Sequence, residues 1–188
     1  MIVNYFEPAL NFNLKPTDAI DYFTQKGLKP TFSYKDMLAT EHDKAFTVAK
    51  MMDVDLLATM QKEVTKAINN GETLKSFQAR LQPLLEDAGW WGKKEYTDAL
   101  GQKRTMQLGS ASRLRTIFKT NFKSSYMAGK WEGIQNNKQF MPYLMYDAVD
   151  DGKTRSDHAA MDNLVFPVDH SFWETAYPPN GYNCRCGV

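Results

Sequence analysis

The sequence has little cysteine. Only Cys184 and Cys186 are present in 188 residues. A disulfide between cysteines separated by one residue would close a tight, strained ring, so the chain lacks the disulfide framework of a small secreted domain. Residues 1–7 also lack the basic and then apolar pattern of a signal peptide. These absences favour folding in a reducing cytosol.

Long apolar runs and a surplus of one charge are missing too. No apolar stretch approaches the roughly 18 residues that would predict a transmembrane helix. Lys and Arg total 23 against 22 for Asp and Glu, which gives a formal net charge of +1. We therefore expect no membrane partner, and no global field favours nucleic acid, although a local basic patch still could.

The apolar residues that are present recur mostly at helical spacing. Residues 1–16 are interpreted as an extended arm. The pattern then predicts a helix over residues 18–26, ended by Gly27 as a C-terminal cap. A longer helical stretch is predicted to begin at a cap in residues 33–36 and to end near Asn69, with a break near Asp53.

The middle of the chain predicts two more helices. Thr73 is expected to start one of them, and Pro83 inside it should kink or shorten it. Residues 92–110 are polar and indicate a loop or a weak hairpin. Residues 110–136 carry a continuous apolar stripe and form the clearest helix in the sequence. The pair Trp90 and Trp91, beside glycines, suggests a tight packing corner.

The last forty or so residues, from Asp150 onward, are rich in turn formers, which excludes one long helix there. Strands are predicted within residues 140–149 and 164–168. The expected fold class is α+β, a mainly helical body with a small, turn-rich C-terminal unit that contains strands. The corresponding regions are residues 1–138 and residues 139–188, with one compact domain as the simplest combination.

A metal site is the sharpest chemical hypothesis for the C-terminal unit. Cys184 and Cys186 would point to the same face of an extended segment. His158 or His170 could complete a nitrogen and sulfur ligand set, for which zinc is the default ion. The candidates for a fourth ligand are Asp157, Asp162 and Asp169. The alternative is that both cysteines are reduced and pack in a turn as small apolar groups.

The acidic residues near His158 allow two interpretations. Asp150, Asp151, Asp157 and His158 could form an acid–base set around a substrate. In the simpler interpretation Asp-Asp-Gly is turn chemistry, with carboxylates bonded to nearby backbone amides. Residues 154–156 would then lead into a short helix that carries His158.

A basic surface on the long helix is the third candidate site. The side chains in question are Arg113, Arg115, Lys119 and Lys123. Most of them share a broad face, and they could contact phosphates. A solvated helix face explains them equally simply, and the nearly neutral chain favours that explanation.

A long and chemically unusual set of residues, which we call the C-terminal motif, occupies the end of the chain: Asp150, Asp151, Thr154, Arg155, His158, Val165, Phe166, Pro167, Asp169, Trp173, Tyr177, Pro178, Pro179, Asn180, Gly181, Asn183, Cys184, Arg185 and Cys186. This motif resembles the phage Mu F-like head morphogenesis family. Upstream, residues 19–28, 42–50, 89–92 and 113–131 look like the helical part of that family. Asn163 stands where a glycine would be expected, and Asn is the next best residue for a left-handed backbone position.

The resemblance implies a minor head protein of a tailed phage or prophage. Its expected partners are the portal protein and other head proteins, with weak, non-specific DNA binding at most. Its expected place is the procapsid or virion, and the host cytoplasm during assembly. An established catalytic reaction is not implied, and the alternative is a metal-dependent nuclease or hydrolase that uses His158 and nearby aspartates. Members of the family are often longer, so Val188 is expected to be a cut.

Overall fold

In a computed structural model that describes residues 17–33, 36, 44–97 and 100–188, the chain folds into helices and short paired strands. The helices are α1 (Thr17–Thr24), α2 (Val54–Asn69), α3 (Leu74–Asp87), α4 (Ala111–Asn137), α5 (Ser156–Ala159) and α6 (Phe172–Ala176). The strands are β1 (Gly27–Leu28), β2 (Ala45–Phe46), β3 (Lys93–Thr97), β4 (Lys103–Gln107), β5 (Tyr143–Met145) and β6 (Val165–Pro167). The predicted α+β, mainly helical fold class is confirmed.

The strands pair two by two. β1 and β2 are parallel, whereas β3 with β4 and β5 with β6 are antiparallel. The second pair is the hairpin that residues 92–110 predicted, and the third joins the two strands predicted in the C-terminal unit. In that third pair Tyr143 lies opposite Pro167 and Met145 lies opposite Val165.

Local capping fixes where the long helices begin. The Thr73 hydroxyl accepts a hydrogen bond from the Ser76 backbone N–H at 3.2 Å, and the Ser110 hydroxyl accepts one from Arg113 N–H at 3.2 Å. These side chains satisfy backbone donors that the first helical turn leaves unpaired. The starts predicted at Thr73 and Ser110 are therefore confirmed. α3 continues through Pro83 to Asp87, so the proline does not shorten this helix.

The prediction of a helix that begins at residues 33–36 and continues toward residue 53 is wrong for residues 44–53, which the structure describes. Ala45 and Phe46 form β2, and α2 begins only at Val54. Asp53 caps that start, since its carboxylate accepts the backbone N–H of residue 55 at 2.9 Å. The segment buries apolar side chains as a short strand and turn, and spacing alone does not separate that from a helix. Residues 1–16, 34–35 and 37–43, with their predicted arm and helix, lie outside the described residues.

The predicted glycine cap of α1 is also wrong. α1 ends at Thr24, and Gly27 lies in β1 without a positive φ. Its backbone N–H donates to the Lys44 carbonyl at 3.0 Å. Gly27 therefore continues the chain into a strand and does not provide a left-handed turn.

Two apolar cores organise the described residues, and α4 contributes to both. The first contains buried side chains from α1, β2, α2 and α3, and it also includes Leu114, with Phe118 and Phe122 of α4 packed against it. The second is built on Tyr146, Trp173 and the two cysteines, and Trp131 of α4 packs against it. The boundary predicted between residues 138 and 139 stays a prediction.

A close approach at Gly109 fixes the corner between α3, the β3–β4 hairpin and α4. A Cβ atom there would lie 2.5 Å from the Trp90 carbonyl oxygen and 2.5 Å from the Trp91 ring, so only glycine fits. The indole N–H of Trp90 donates to the Lys50 carbonyl at 2.9 Å. The Arg113 guanidinium lies 4.7 Å from the Trp90 ring centroid. The two tryptophans thus form the packing corner that the sequence suggested.

None of the helices in the described part of the chain combines the length and the apolar character needed to cross a bilayer.

The adjacent residues Met51 and Met52 provide a matched test of the first core. Met51 is fully buried, whereas 56% of Met52 is exposed. We expect Met51→Ala to lower the free energy of unfolding by about 2–5 kcal/mol, because it removes buried contacts and leaves a cavity. Met52→Ala should change it by less than about 0.5 kcal/mol. Denaturant unfolding measures both, and equal losses would contradict this description of the core.

Candidate functional site

Three buried side chains from distant parts of the chain meet in the second core, and we call them the C-terminal cluster: His158, Cys184 and Cys186. His158 Nδ1 lies 3.4 Å from Cys186 Sγ and 3.7 Å from Cys184 Sγ. One potential ligand atom from each residue lies within 4.8 Å of the others. The exposed fractions are 5% for His158, 8% for Cys184 and 3% for Cys186. The cysteines do not form a disulfide.

The backbone explains why these side chains converge. α5 carries His158, as the sequence predicted for a short helix after Arg155, although Arg155 makes no side-chain cap. Cys184 and Cys186 are buried on either side of the exposed Arg185. This alternation is typical of an extended segment, where side chains two residues apart share a face. An antiparallel β-bridge between Gly187 and Asp147 fixes the position of this segment.

Asp157 lies on the side of the His158 ring that faces away from the two cysteines. Its Oδ2 is 4.0 Å from His158 Nε2, the ring nitrogen opposite to the one that faces the sulfurs. Its Oδ1 accepts the backbone N–H of His158 at 3.0 Å. Of the candidate ligands, the structure therefore brings His158, Cys184 and Cys186 together and leaves Asp157 next to the imidazole.

The other ligand candidates are occupied elsewhere. His170 is exposed, and its Nδ1 accepts a backbone N–H two residues along the chain at 3.0 Å. Asp162 Oδ1 accepts the backbone N–H of Ala148 at 2.8 Å. The Asp169 carboxylate pairs with Lys138 at 2.8 Å. These contacts engage the three side chains outside the cluster.

Arg155 connects the cluster to the loop that precedes the cysteines. Its guanidinium donates to the carbonyls of Asn180 at 3.0 Å and Tyr182 at 2.6 Å. It also lies 3.2 Å from His158 Nε2. Because a guanidinium has no acceptor, Nε2 must accept this hydrogen bond. In this arrangement a neutral imidazole carries its proton on Nδ1, directed at the sulfurs.

Tyr146 is a member of the site that the sequence did not single out. Its side chain is fully buried, and its hydroxyl accepts a hydrogen bond from the Asn180 amide nitrogen at 3.4 Å. Burial raises the pKa of Tyr146, so the phenol stays protonated. Burial also raises the pKa of the Cys184 thiol. Tyr146 directly follows the last residue of β5, Met145, and nothing in the sequence around it indicated a role in the site.

A bidentate ion pair connects the two halves of the motif. Arg185 donates from Nη1 to Asp151 Oδ2 and from Nη2 to Asp151 Oδ1, each at 2.6 Å. Asp151 Oδ1 also accepts the backbone N–H of Lys153 at 2.9 Å. The Asp-Asp-Gly segment is therefore a turn whose second carboxylate binds the residue between the cysteines. This arrangement matches the turn interpretation better than an acid–base pair.

The remaining motif residues shape the backbone of the unit. The Trp173 indole N–H donates to the Pro167 carbonyl at 3.0 Å, and the Thr154 hydroxyl donates to the Val149 carbonyl. The Pro178–Pro179 peptide bond is cis. Asn183 has a φ of 58°.

Asn163 adopts the left-handed conformation that was expected at a position where glycine would be typical. Its φ is 62°. Asn populates this region more readily than most residues, so the turn survives the replacement.

The four basic candidates on α4 differ in their surroundings. Arg113 donates to the carbonyls of Gln107 at 3.0 Å and Leu108 at 2.8 Å, and also to that of Ala49. Burial lowers its pKa. Arg113 therefore holds the β4–α4 corner and is not presented to a phosphate.

The other three basic candidates are accessible. Arg115 and Lys119 are exposed and Lys123 is half-buried. Phosphate contact by these residues stays a prediction.

An exposed apolar surface lies on the β5–β6 pair and the segment before it. We call this the apolar face: Phe140, Met141, Tyr143, Met145, Leu164 and Val165. The exposed fractions are 85% for Phe140 and 62% for Tyr143. An open groove of about 340 Å³ between α4 and β5 adjoins it and is lined in part by Ile134, Met141 and Leu144. The signal for it was in the sequence, because Tyr143-Leu144-Met145 is apolar on both faces of one strand.

Comparison with known proteins defines the class. The chain matches the family of phage Mu protein F like proteins over residues 58–188, and it belongs to that family. It is 44% identical over 175 residues to the putative capsid assembly protein F of Escherichia phage Mu, which covers 93% of this chain and 40% of that protein. It is 38% identical over 158 residues to the Mu-like prophage FluMu F protein of Haemophilus influenzae, covering 84% of this chain and 37% of that protein. No solved structure is significantly similar to the chain.

These matches confirm the resemblance that the C-terminal motif predicted. The hypothesis of a metal-dependent nuclease or hydrolase finds no support in them. The chain spans about two fifths of the length of both relatives.

The Asp151–Arg185 pair predicts a pH-dependent contribution to stability. The guanidinium of Arg185 holds the pKa of the Asp151 carboxyl well below its usual range. The contribution is therefore complete above the ordinary Asp value of about 4, and it is lost as pH falls through the lower folded pKa. We expect Asp151→Asn to lower the Tm at pH 7 by a few degrees, with a difference from the unmodified protein that shrinks as the pH falls from 4 to 2.

Asp150→Asn is the matched control. Among the described contacts, none involves the Asp150 carboxylate, which lies one residue from the pair. Thermal melts at both pH values should give a small, pH-independent effect for this variant. If the two variants behave alike, the ion pair does not stabilise the unit.

Proposed function

We propose that the protein acts in head morphogenesis of a tailed phage or prophage, and that it does so by binding the portal protein. Membership of the phage Mu protein F like family carries this proposal. The name of the relative from phage Mu describes it as a putative capsid assembly protein. Such a role requires contacts with other head proteins, and those contacts require a suitable surface.

The apolar face provides that surface. Soluble monomers rarely expose large contiguous apolar patches, and those that do use them most often for binding. Aromatic residues and Met are enriched in the buried centres of protein interfaces, and this face presents both. The register of β5 and β6 places Met145 directly across from Val165, so part of the face lies on one strand pair.

The adjoining groove supports binding of a protein segment. Its wall combines α4, through Ile134 and Asn137, with β5, through Leu144. A side chain of a partner could enter between the helix and the strand while the apolar face packs against the rest of that partner. We infer that the procapsid or virion is the location of the protein, with the host cytoplasm as the site of assembly.

The portal interaction is tested by a double substitution in the apolar face. Tyr143→Ser with Met145→Ser should weaken binding to the purified portal protein of the same phage at least about tenfold, because exposed interface anchors carry much of the binding energy. Biolayer interferometry measures the affinity, and thermal melts verify that the variant is folded. The control is Met52→Ser with Val54→Ser, two exposed apolar residues outside the face. A folded face variant that binds portal normally, or an unmodified protein that does not bind portal, contradicts the proposal.

Binding to DNA should be weak and electrostatic. The net charge of +1 gives the chain no overall positive field, and Arg113 is engaged by backbone carbonyls. We expect an affinity for duplex DNA that falls steeply between about 50 and 200 mM salt, and that falls further in Arg115→Glu with Lys119→Glu. Fluorescence anisotropy measures this. Nanomolar, salt-resistant binding would overturn the expectation.

A further inference from the structure

The geometry of the C-terminal cluster points to a zinc site: we propose that His158 Nδ1, Cys184 Sγ and Cys186 Sγ bind one Zn²⁺. The site does not depend on portal binding, and the two proposals can fail separately. Its argument rests on the distances among three atoms, on their burial and on the groups that surround the sulfurs.

The spacing of the ligand atoms matches a tetrahedral ion. With bonds of about 2.0–2.1 Å to nitrogen and 2.3 Å to sulfur, a tetrahedral Zn²⁺ places its nitrogen and sulfur ligands about 3.6 Å apart. The observed separations are 3.4 Å from Nδ1 to Cys186 and 3.7 Å from Nδ1 to Cys184. The N–H group of Nδ1 can form a good hydrogen bond with only one of the two sulfurs. An ion placed between the three atoms can bond to both sulfurs.

The surroundings of the sulfurs are closed and largely apolar. Cys184 and Cys186 are buried in one core with Tyr146 and Trp173. Thiolates in such a core need a nearby cation to compensate for the cost of burying their charge. A Zn²⁺ held by both sulfurs and the imidazole provides that compensation.

The ligand chemistry selects the ion. Two soft thiolates and one imidazole favour Zn²⁺ over Mg²⁺ or Ca²⁺, which require several oxygen ligands. Among the described residues, no further His, Cys, Asp or Glu side chain belongs to the cluster. The three side chains thus fill three positions, and the fourth is left to another ligand, for which water is the simplest choice.

Binding would rearrange the hydrogen bonds of His158. Each thiol releases a proton to solvent, and the imidazole proton moves from Nδ1 to Nε2, so that two protons leave per ion bound. Nε2 then becomes a donor and no longer accepts from Arg155. Asp157 Oδ2, at 4.0 Å, is the nearby carboxylate that can accept this proton. Asp157 is therefore a positioning residue in the outer shell, as is usual for metal-bound histidines.

The test uses the full chain, purified with a reducing agent, stripped with a chelator and then loaded with Zn²⁺. We expect one zinc per chain after gel filtration and protection of both thiols from a thiol reagent. Removal of the ion should expose the thiols and lower the Tm. Loading with Co²⁺ should give a sulfur-to-cobalt charge-transfer band.

Paired variants identify the ligands. His158→Gln and Cys184→Ser should weaken zinc binding by at least about a hundredfold in competition with a chromogenic chelator. Asp157→Asn should weaken it by about tenfold, the usual range for an outer-shell partner being 10–100-fold. His170→Gln, the same change at an exposed histidine that lies outside the cluster, should leave the affinity unchanged.

Two results would overturn the proposal. One is an unmodified protein that binds no zinc at micromolar concentration and whose thiols react equally fast with and without the ion. The other is a Co²⁺ complex without a sulfur charge-transfer band, or one that His170→Gln disrupts as much as His158→Gln does. Because both results include the unmodified chain, a cluster variant that fails to fold does not decide the question.

Discussion

The fold depends on the packing of α4 against two separate cores. Leu114 and Phe118, near its start, belong with the first core, and Trp131, four turns later, packs against the second. The second contact is reinforced where the Trp131 and Tyr177 rings meet at 4.7 Å and the Tyr177 hydroxyl donates to the Met127 carbonyl at 2.8 Å. One continuous helix thus fixes the position of a turn-rich unit that has little regular structure of its own.

Within that unit, side-chain hydrogen bonds and ion pairs hold the backbone in place, as paired strands do in a larger sheet. Arg155 donates to the backbone at Asn180 and Tyr182, and Arg185 binds Asp151 through both carboxylate oxygens. Charged, bidentate hydrogen bonds are stronger and more directional than neutral ones. They bring His158 to the cysteines, so the chemistry of the cluster follows from the scaffold around it.

Features that depend on contacts between residues close in sequence were predictable, whereas those that depend on residues far apart in sequence were not. Thr73 and Ser110 as helix starts, and the shared face of Cys184 and Cys186, follow from contacts within a few residues, and the sequence was sufficient for them. β2 was missed because Phe46 owes its strand to pairing with Leu28, a nonlocal contact that periodicity does not encode. The partner of Arg185 and the location of Tyr146 beside Cys186 were missed for the same reason, since several acidic and aromatic residues were equally plausible.

The residues of the cluster are far apart in sequence, and this separation affects the order in which the protein folds. His158 contacts residues 26 and 28 positions further along the chain, and Asp147 pairs with Gly187. Closing loops of this length costs entropy before the contacts compensate for it. On a ribosome, where synthesis proceeds from the N-terminus, the residues of the first core up to Leu114 are all available well before Cys186 emerges. The helical body is thus available as a template onto which the second core closes.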